Sequence, residues 1–294
     1  MNKKIILVTG GAGFVGSNLI KLLLSKSKFN IISLDNYSSG SKKNHLKNSR
    51  VKYLNGETKD IKKLIKKPKN IYSVFHFGEF ARIYQSFLKM NECIESNTVG
   101  TNSVFNFCLE NKIKLIYSAT SASLGNKGND KNLSPYAFSK AKNLEYLENL
   151  KKWFDFKYEV IYFYNVYGPG QISKGKMATV IGIFENAYRR KKPLPVVLPG
   201  SQSRRFTHID DTVKICFLAW KKNLSRHYSI SNKKSYTILE VAKMFKTKIK
   251  FLKKRPGERY ASALANMNLS NKVYKIFGKI SLKNYIKIIV NSKK

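Results

Sequence analysis

The sequence predicts an α/β protein with a doubly wound parallel sheet, followed by a smaller C-terminal α/β lobe. Short apolar, β-branched runs alternate with amphipathic helical stretches through the first half of the chain, and a glycine-rich turn separates the first run from the first helix. This alternation is typical of βαβ units, in which the crossover helices cover both faces of the sheet. The predicted strands are 5–8, 31–34, 51–54, 74–77, 115–118 and 159–163, and the predicted helices are 14–26, 59–67, 84–110 and 137–153.

The second half of the chain has a different organisation. The alternation stops after Tyr167-Gly168-Pro169-Gly170, and loops rich in Gly, Pro and Ser follow. We therefore expect a first domain at 1–166 and a mainly ligand-binding lobe at 167–294, of which about 206–225 packs back on the first domain. A lobe at the carboxyl edge of a parallel sheet usually closes over a ligand. Its predicted helices lie near 178–191, 209–222 and 237–246, with a short one at the C-terminus.

The glycine-rich turn has the order of elements that a dinucleotide requires. The apolar run 5–8 leads into Gly10, Gly13 and Gly16, and a helical pattern begins at Phe14. Gly10 permits a sharp turn, Gly13 lets backbone N–H groups approach phosphates, and Gly16 lets the helix pack closely on the strand. These features together predict a pyrophosphate-binding turn at the start of a Rossmann-type sheet.

Asp35 indicates which dinucleotide binds. It ends the second apolar run, at the distance from the turn where a carboxylate accepts the hydroxyl groups of an adenosine ribose. The same carboxylate repels a 2′-phosphate. The sequence therefore favours NAD over NADP as the cofactor.

A tyrosine and a lysine form the candidate catalytic pair. Tyr136 and Lys140 lie one turn apart at the start of a predicted helix, so both project from one face. A lysine ammonium there is expected to lower the pKa of the tyrosine, whose phenolate then acts as a general base. Thr120, at the end of the fifth predicted strand, is expected to point into the same crevice. The same spacing also arises by chance in a chain with 17 Tyr, so the spacing alone is a weak indication. The position of the pair after the fifth predicted strand is what supports the catalytic interpretation.

The large positive charge permits two interpretations. With 56 Lys and Arg against 17 Asp and Glu, the formal net charge of +39 attracts polyanions such as nucleic acids. The lysines are nevertheless scattered over successive helices in short doublets, without a long basic arm. We therefore expect a compositional origin, no specific nucleic-acid partner, and a field that favours an anionic small substrate.

Cysteine usage and hydropathy indicate the compartment. Cys93, Cys108 and Cys216 lie far apart without CxxC spacing, which predicts free thiols and no metal site. No apolar run reaches about 18 residues, the length that crosses a membrane. We expect a cytoplasmic protein with no membrane partner.

Motifs along nearly the whole chain resemble one known family. They are Thr9–Leu19, Asp35–Gly40, Asn97–Thr101, Tyr136 with Lys140, Tyr164–Pro169, Arg205–Asp211 and Arg255–Glu258. With these motifs the chain resembles the extended short-chain dehydrogenases/reductases, and most closely their NAD-dependent nucleotide-sugar epimerases of the UDP-glucose 4-epimerase type.

The resemblance implies a role for each matching residue. The implied cofactor-binding residues are Gly10, Gly13, Phe14, Val15, Gly16, Asp35, Asn36, Glu57, Thr58, Phe77, Asn97, Tyr136 and Lys140. The implied catalytic residues are Thr120, Tyr136 and Lys140, and the implied substrate-binding residues are Thr120, Asn165, Arg204 and Arg255.

The resemblance also implies a reaction and an assembly. In this family a sugar hydroxyl is oxidised to a transient 4-keto sugar by tightly bound NAD and then reduced on the other face. The substrate would be a nucleotide sugar, with UDP favoured. The helical stretches 84–110 and 137–153 match those that form a homodimer interface in the family.

Two departures from the family pattern keep alternatives open. Ala122 stands where related dehydratases carry Glu, which argues against dehydration, and Glu79 stands where a small residue usually lies beside the cofactor. Glu79 either touches the sugar or forms an ion pair with Arg82, and we favour the ion pair. Another nucleotide-sugar oxidoreductase or dehydratase remains an alternative, as does a non-enzymatic NAD-binding regulator with a nucleic-acid partner.

Overall fold

The structure is a computed structural model that describes residues 4–121, 132–257 and 273–292. Its strands are β1 (Ile5–Thr9), β2 (Asn30–Asp35), β3 (Val51–Asn55), β4 (Ile71–His76), β5 (Lys114–Thr120), β6 (Tyr158–Phe163), β7 (Val166–Tyr167), β8 (Leu194–Val197), β9 (Ser203–Arg205), β10 (Thr207–His208), β11 (His227–Ser231), β12 (Ser235–Thr237), β13 (Ile249–Leu252) and β14 (Val273–Phe277). Its α-helices are α1 (Phe14–Lys26), α2 (Ile61–Leu64), α3 (Ile83–Leu88), α4 (Met90–Ile94), α5 (Thr101–Glu110), α6 (Pro135–Phe154), α7 (Val180–Arg189), α8 (Ile209–Lys222), α9 (Ile238–Met244) and α10 (Leu282–Asn291).

The large sheet has the predicted doubly wound architecture. Within the described residues, eight parallel strands follow the order β3-β2-β1-β4-β5-β6-β11-β14. The strand order reverses between β1 and β4, and ligands of such sheets bind at the carboxyl ends of the strands at this switch point. The predicted fold class is confirmed, and the predicted strands of the first half correspond to β1–β6.

Apolar side chains on both faces of the sheet explain why the strand sequences read as continuous apolar runs. Along β1, Leu7 packs into the core on one face, whereas Ile6 and Val8 pack into the core on the other. Successive side chains of a strand point to opposite faces, so a strand covered on both sides needs apolar residues throughout. The first core includes Phe105 of α5, and the second includes Leu19 of α1.

The second half of the chain contributes to both the sheet and a separate lobe. Helix α8 packs against α1 in the second core, and strands β11 and β14 extend the sheet beyond β6. A third core, which includes Phe184, Val196, Phe245 and Ile286, holds α7, β8, α9 and α10 together. The domain boundary at residue 166 stays a prediction, and strands β11 and β14 show that part of the later chain belongs to the large sheet.

The predicted helix 84–110 is interrupted in the structure. Helices α3 and α4 are separated at Lys89, whose backbone is non-helical, and a π-helix spans Glu95–Gly100 before α5. A π-turn often marks a functional position in a helix. Gly100 lies so close to the neighbouring Thr58 that a Cβ atom would come within 2.4 Å of the Thr58 hydroxyl oxygen. The segment that interrupts the predicted helix therefore packs closely against the loop that follows β3.

In the part of the chain that the structure describes, no helix is long and apolar enough to cross a bilayer. No cluster of potential metal ligands was found among the same residues. Cys93, Cys108 and Cys216 are buried free thiols.

Candidate active site

A cleft of about 540 Å³ runs from the carboxyl edge of the sheet to the C-terminal lobe. Most of the residues proposed from the sequence line this cleft, although they come from distant parts of the chain. They are Gly10, Gly13, Phe14, Val15, Gly16, Asp35, Asn36, Glu57, Thr58, Phe77, Thr120, Tyr136, Lys140, Asn165, Arg204 and Arg255.

The glycine turn at one end of the cleft has no room for side chains. Gly10 has a φ of +67°, and a Cβ atom there would lie 2.7 Å from the carbonyl carbon of Phe77. A Cβ atom on Gly16 would lie 2.2 Å from the carbonyl oxygen of Gly10. Helix α1 begins directly after Gly13 with no side-chain cap, so its first N–H groups face the cleft. This arrangement fits the pyrophosphate of NAD.

Asp35 connects the turn to the region where an adenosine would lie. Its Oδ2 atom accepts the Ala12 N–H at 2.9 Å and its Oδ1 atom accepts the Tyr37 N–H at 2.8 Å. Burial raises the pKa of the Asp35 carboxyl, and the backbone N–H donors oppose that rise. Beside it, the Asn36 amide donates to the Glu57 carboxylate at 3.2 and 3.3 Å. An acidic and amide-rich wall of this kind suits ribose and adenine groups.

Tyr136 lies in the first turn of α6, where the local sequence favours the start of a helix. Ser134 caps the helix by accepting the Ala137 N–H at 3.0 Å, and Pro135 occupies the first turn. The Tyr136 side chain forms a hydrogen bond with Thr120, at the end of β5. The predicted encounter of these two hydroxyl groups therefore occurs in the structure.

The pKa of Tyr136 differs from the expected direction. The pKa of Tyr136 is raised to about 12, mainly by burial and also by the charge of Glu79, while the hydrogen bond with Thr120 opposes the rise. Arg82 lowers it and Cys93 raises it by smaller amounts. The phenol is therefore protonated at neutral pH in this structure, contrary to the expected lowering by Lys140.

The orientation of Lys140 accounts for this difference. Its ammonium group donates to the Glu79 carboxylate, to the Ser118 carbonyl, and to the Tyr117 hydroxyl oxygen at 3.3 Å. The side chains of Lys140 and Glu79 are 4% and 2% exposed, so this ion pair is shielded from water. Because the ammonium is neutralised by Glu79, its charge does little to stabilise a phenolate at Tyr136.

The favoured interpretation of Glu79, an ion pair with Arg82, is wrong. Glu79 points inward to Lys140, whereas the Arg82 guanidinium lines the cleft and donates to the carbonyls of Met177 and Ala81. Burial lowers the pKa of Arg82. The side chains diverge because the loop after β4 faces the sheet edge at Glu79 and the C-terminal lobe at Arg82.

Asn97 lies behind the cleft and does not form its wall. It accepts the Phe80 N–H at 2.7 Å, and it donates to the Phe80 carbonyl at 3.1 Å and to the Ser139 hydroxyl at 3.2 Å. These bonds hold the loop after β4 against α6. A direct contact between Asn97 and the cofactor stays a prediction.

Basic residues and an amide line the other end of the cleft. Asn165, with a φ of +32°, donates to the Arg205 carbonyl at 2.8 Å, and the Arg255 guanidinium lies 5.0 Å from the centre of the Tyr84 ring. Arg204 donates to the Ser203 carbonyl at 2.9 Å. Guanidinium groups suit phosphate oxygens because their planar fork donates two parallel hydrogen bonds.

Sequence reasoning assigned no role in the cleft to two arginines that line it, Arg205 and Arg82. Arg205 directly follows Arg204 and begins the motif Arg205–Asp211, so its position could have been found, whereas Arg82 was considered only as an ion-pair partner of Glu79. Ala122 and Glu258, which belong to the family comparison, lie outside the described residues.

The dinucleotide turn and the Tyr136–Thr120 pair on one cleft define an NAD-dependent enzyme of the Rossmann fold. The chain belongs to the NAD dependent epimerase/dehydratase family, whose model matches residues 6–231. The resemblance inferred from the motifs is thereby confirmed, and so is NAD as the cofactor.

The chain is similar to individual epimerases, to some in sequence and to others in fold. The ADP-L-glycero-D-manno-heptose-6-epimerase of Brachyspira hyodysenteriae is 30% identical over 257 residues, which cover 82% of this chain and 80% of that protein. A UDP-N-acetylglucosamine 4-epimerase from Methanobrevibacter ruminantium, solved with UDP-N-acetylmuramic acid, is 26% identical. Its TM-score is 0.84, and the match covers 99% of this chain and 97% of that one. A Thermus thermophilus UDP-glucose 4-epimerase solved with NAD shares the fold at 22% identity, with a TM-score of 0.83 and 98% coverage of both chains.

Proposed function

We propose that this protein is an epimerase of nucleotide sugars, of the UDP-glucose 4-epimerase type, that retains its NAD throughout turnover. The observation that carries the proposal is the position of the Tyr136–Thr120 hydroxyl pair. It lies on the wall of one continuous cleft, with a dinucleotide turn at one end and the guanidinium groups of Arg204 and Arg255 at the other.

The proposed reaction assigns a proton transfer to Tyr136. When bound, NAD supplies the acceptor and donor of a hydride. Tyr136 Oη takes the proton of the reacting sugar hydroxyl and later returns it, and Thr120 holds the same hydroxyl by a hydrogen bond. Because the burial of Tyr136 favours its neutral form, the phenol must first release its own proton to solvent, which requires that the bound ligands lower its pKa. The resulting phenolate then accepts the proton of the sugar hydroxyl.

The substrate is proposed from the charge of the cleft. Arg204, Arg205 and Arg255 lie on the wall remote from the glycine turn, where they suit the diphosphate of a nucleotide sugar. An anchored diphosphate leaves the sugar free to present either face to the same hydride position. We favour UDP as the nucleotide because the two solved relatives described above are epimerases of UDP-sugars by name.

We also propose a homodimer in which α3, α4 and α6 face the second copy. Large apolar side chains on this side of the molecule are exposed: Leu88 by 61%, Met90 by 55%, Val99 by 51% and Phe138 by 41%. A second copy of the chain would remove them from water. Sedimentation velocity distinguishes the dimer from a monomer, and a monomeric species at micromolar concentration would contradict the dimer.

A cytoplasmic location is proposed from the thiols. Cys93, Cys108 and Cys216 are buried and unpaired, as expected in a compartment that keeps cysteines reduced.

The function is tested by following UDP-galactose with NMR, using protein purified without added cofactor. Conversion to UDP-glucose without external NAD is the expected result. The same protein is then offered other nucleotide sugars, including an ADP-heptose, because the Brachyspira relative is a 6-epimerase by name. If the protein binds NAD but turns over only another nucleotide sugar, the assigned substrate is wrong and the assigned reaction stands. The absence of both bound NAD and turnover would contradict the proposal.

A further inference from the structure

The carboxylate of Glu79 lies at the floor of the cleft and is surrounded by donors. Its Oε2 atom accepts from Lys140, and its Oε1 atom accepts from Thr101 at 3.0 Å, Tyr117 at 3.1 Å and Asn143 at 3.3 Å. An ionised carboxylate only accepts hydrogen bonds, so each neighbouring group must direct a proton toward it. The donors come from α5, β5 and α6, and the carboxylate therefore ties three elements together.

The donor Thr101 continues the network to the strand that carries the dinucleotide turn. Since Thr101 donates to Glu79, its oxygen accepts from His76 Nε2 at 3.0 Å, and His76 Nδ1 accepts from the Thr9 hydroxyl at 2.7 Å. Thr9 Oγ1 in turn accepts the backbone N–H groups of Phe77 and Gly78 at 3.1 and 3.0 Å. Burial lowers the pKa of His76 to about 4, and a neutral ring supplies the one donor and one acceptor required. Each hydrogen bond between Glu79 and Thr9 can therefore be assigned one donor and one acceptor.

The three N–H groups of the Lys140 ammonium are all occupied at the other end of this network. They reach the Glu79 carboxylate, the Ser118 carbonyl and the Tyr117 hydroxyl oxygen. Burial lowers the pKa of Lys140, and the charge of Glu79 opposes that effect. An ammonium excluded from water keeps its proton and its place only when a counter-charge compensates for the lost hydration.

We propose that Glu79 is a positioning residue that holds the Lys140 ammonium against the end of β5 and couples this position to β1 through Thr101 and His76. The inference rests on the proposed function only in giving Lys140 a part in the reaction. The placement of the ammonium itself is a property of the protein without substrate.

The first test measures the coupling of the two charges by thermal unfolding of the full chain. Glu79→Gln and Lys140→Met each leave one buried charge uncompensated, and each is expected to lower the midpoint by about 5–10 °C. The double variant removes both charges and is expected to unfold at a higher temperature than Lys140→Met. This comparison holds even if Glu79→Gln alone does not fold. A double variant no more stable than Lys140→Met would overturn the proposal.

The second test compares the pH dependence of kcat in Glu79→Gln with that in a matched control. Glu159→Gln removes a fully buried carboxylate that accepts the N–H groups of Ser225 and Arg226, far from the cleft. For Glu79→Gln we expect a loss of about tenfold or more in kcat with little change in KM, because a misplaced group costs turnover more than binding. Glu159→Gln is expected to lower the unfolding midpoint and to retain kcat.

The acid limb of the pH profile separates positioning from a merely structural role. The groups that act on the Tyr136 phenol are Glu79, Arg82, Cys93 and Thr120. Removing the charge of Glu79 is expected to move the acid limb about one pH unit lower. A normal kcat and an unmoved limb, with only a lower unfolding midpoint, would overturn the proposal. If no nucleotide sugar is turned over, the thermal unfolding of Lys140→Met and the double variant still tests whether Glu79 holds Lys140.

Discussion

The Asp35 carboxylate closes the glycine turn by accepting the backbone N–H of Ala12 at 2.9 Å. The turn after β1 and the end of β2 are thus joined by a charged hydrogen bond. The second carboxylate oxygen accepts the Tyr37 N–H, and a Cβ atom on Gly40 would lie 2.7 Å from it. The residue that is proposed to select NAD therefore also shapes the loop that holds it.

Asp35→Ala tests this double role. We expect NAD to bind about 10–100-fold more weakly, because the N–H groups of Ala12 and Tyr37 lose a charged acceptor, and the preference for NAD over NADP to disappear. Titration of the protein with each dinucleotide by calorimetry measures both effects. Asp60→Ala, which removes a partly exposed carboxylate paired with Lys63, serves as the control. An unchanged preference would show that Asp35 does not select the cofactor.

Gly16→Ala tests the close packing of α1 on the turn. The new methyl group would lie 2.2 Å from the Gly10 carbonyl oxygen, so the turn must shift away from its present path. We expect loss of copurifying NAD and a fall of several degrees in the unfolding midpoint, whereas Ser25→Ala at the exposed end of α1 keeps both. Retention of stoichiometric NAD by Gly16→Ala would contradict this interpretation of the turn.

Arg82→Gln tests the electrostatic environment of Tyr136. The Arg82 charge lowers the pKa of the phenol, as does the Thr120 hydrogen bond, whereas burial, Glu79 and Cys93 raise it. Loss of the guanidinium therefore raises the pKa and moves the acid limb of kcat to higher pH. Activity should fall at the low-pH side of the profile and recover in more alkaline buffer.

The matched control for this profile is Arg189→Gln. Arg189 is an exposed arginine paired with Glu185 on α7, remote from the phenol. Its profile should coincide with that of the unmodified protein. A shift of the Arg82→Gln limb to lower pH would contradict the assigned sign.

His76 is expected to make the protein sensitive to mild acid. Its pKa of about 4 in the folded chain lies below the unfolded value of about 6.5, so its contribution to stability is present above pH 6.5 and is lost as the pH falls toward 4. Between pH 7.5 and pH 5 this amounts to about 2 kcal/mol of unfolding free energy. Urea unfolding at the two pH values measures it, and His76→Gln should reduce the difference. An equal pH dependence in the variant would exclude His76 as its source.

The sequence was sufficient wherever local chemistry dictates structure. Gly10 and Gly16 have no space for a side chain, and the end of β5 must lie beside the start of α6, so Thr120 and Tyr136 meet. The position and partners of the Glu79 carboxylate depend instead on side chains from α5, β5 and α6. Its pairing with Lys140 could not be derived from the spacing of either residue.

The same distinction applies to the backbone. Strands β1–β6 carry apolar runs and were predicted, whereas β11 has polar residues alternating with apolar ones and was not. The π-helix at Glu95–Gly100 was not predicted, and its last residue, Gly100, packs closely against Thr58 from a distant segment of the sequence.

Transfer of a C4 deuterium label tests the central claim most directly. UDP-galactose deuterated at C4 is incubated with the purified protein in ordinary water, without added cofactor, and the product is analysed by NMR and mass spectrometry. Hydride that leaves and returns within one closed site should yield UDP-glucose that keeps the deuterium at C4, and Tyr136→Phe should retain NAD but form product at least about 100-fold more slowly. Product that has exchanged its label with solvent would contradict an internal hydride transfer and, with it, the proposed function.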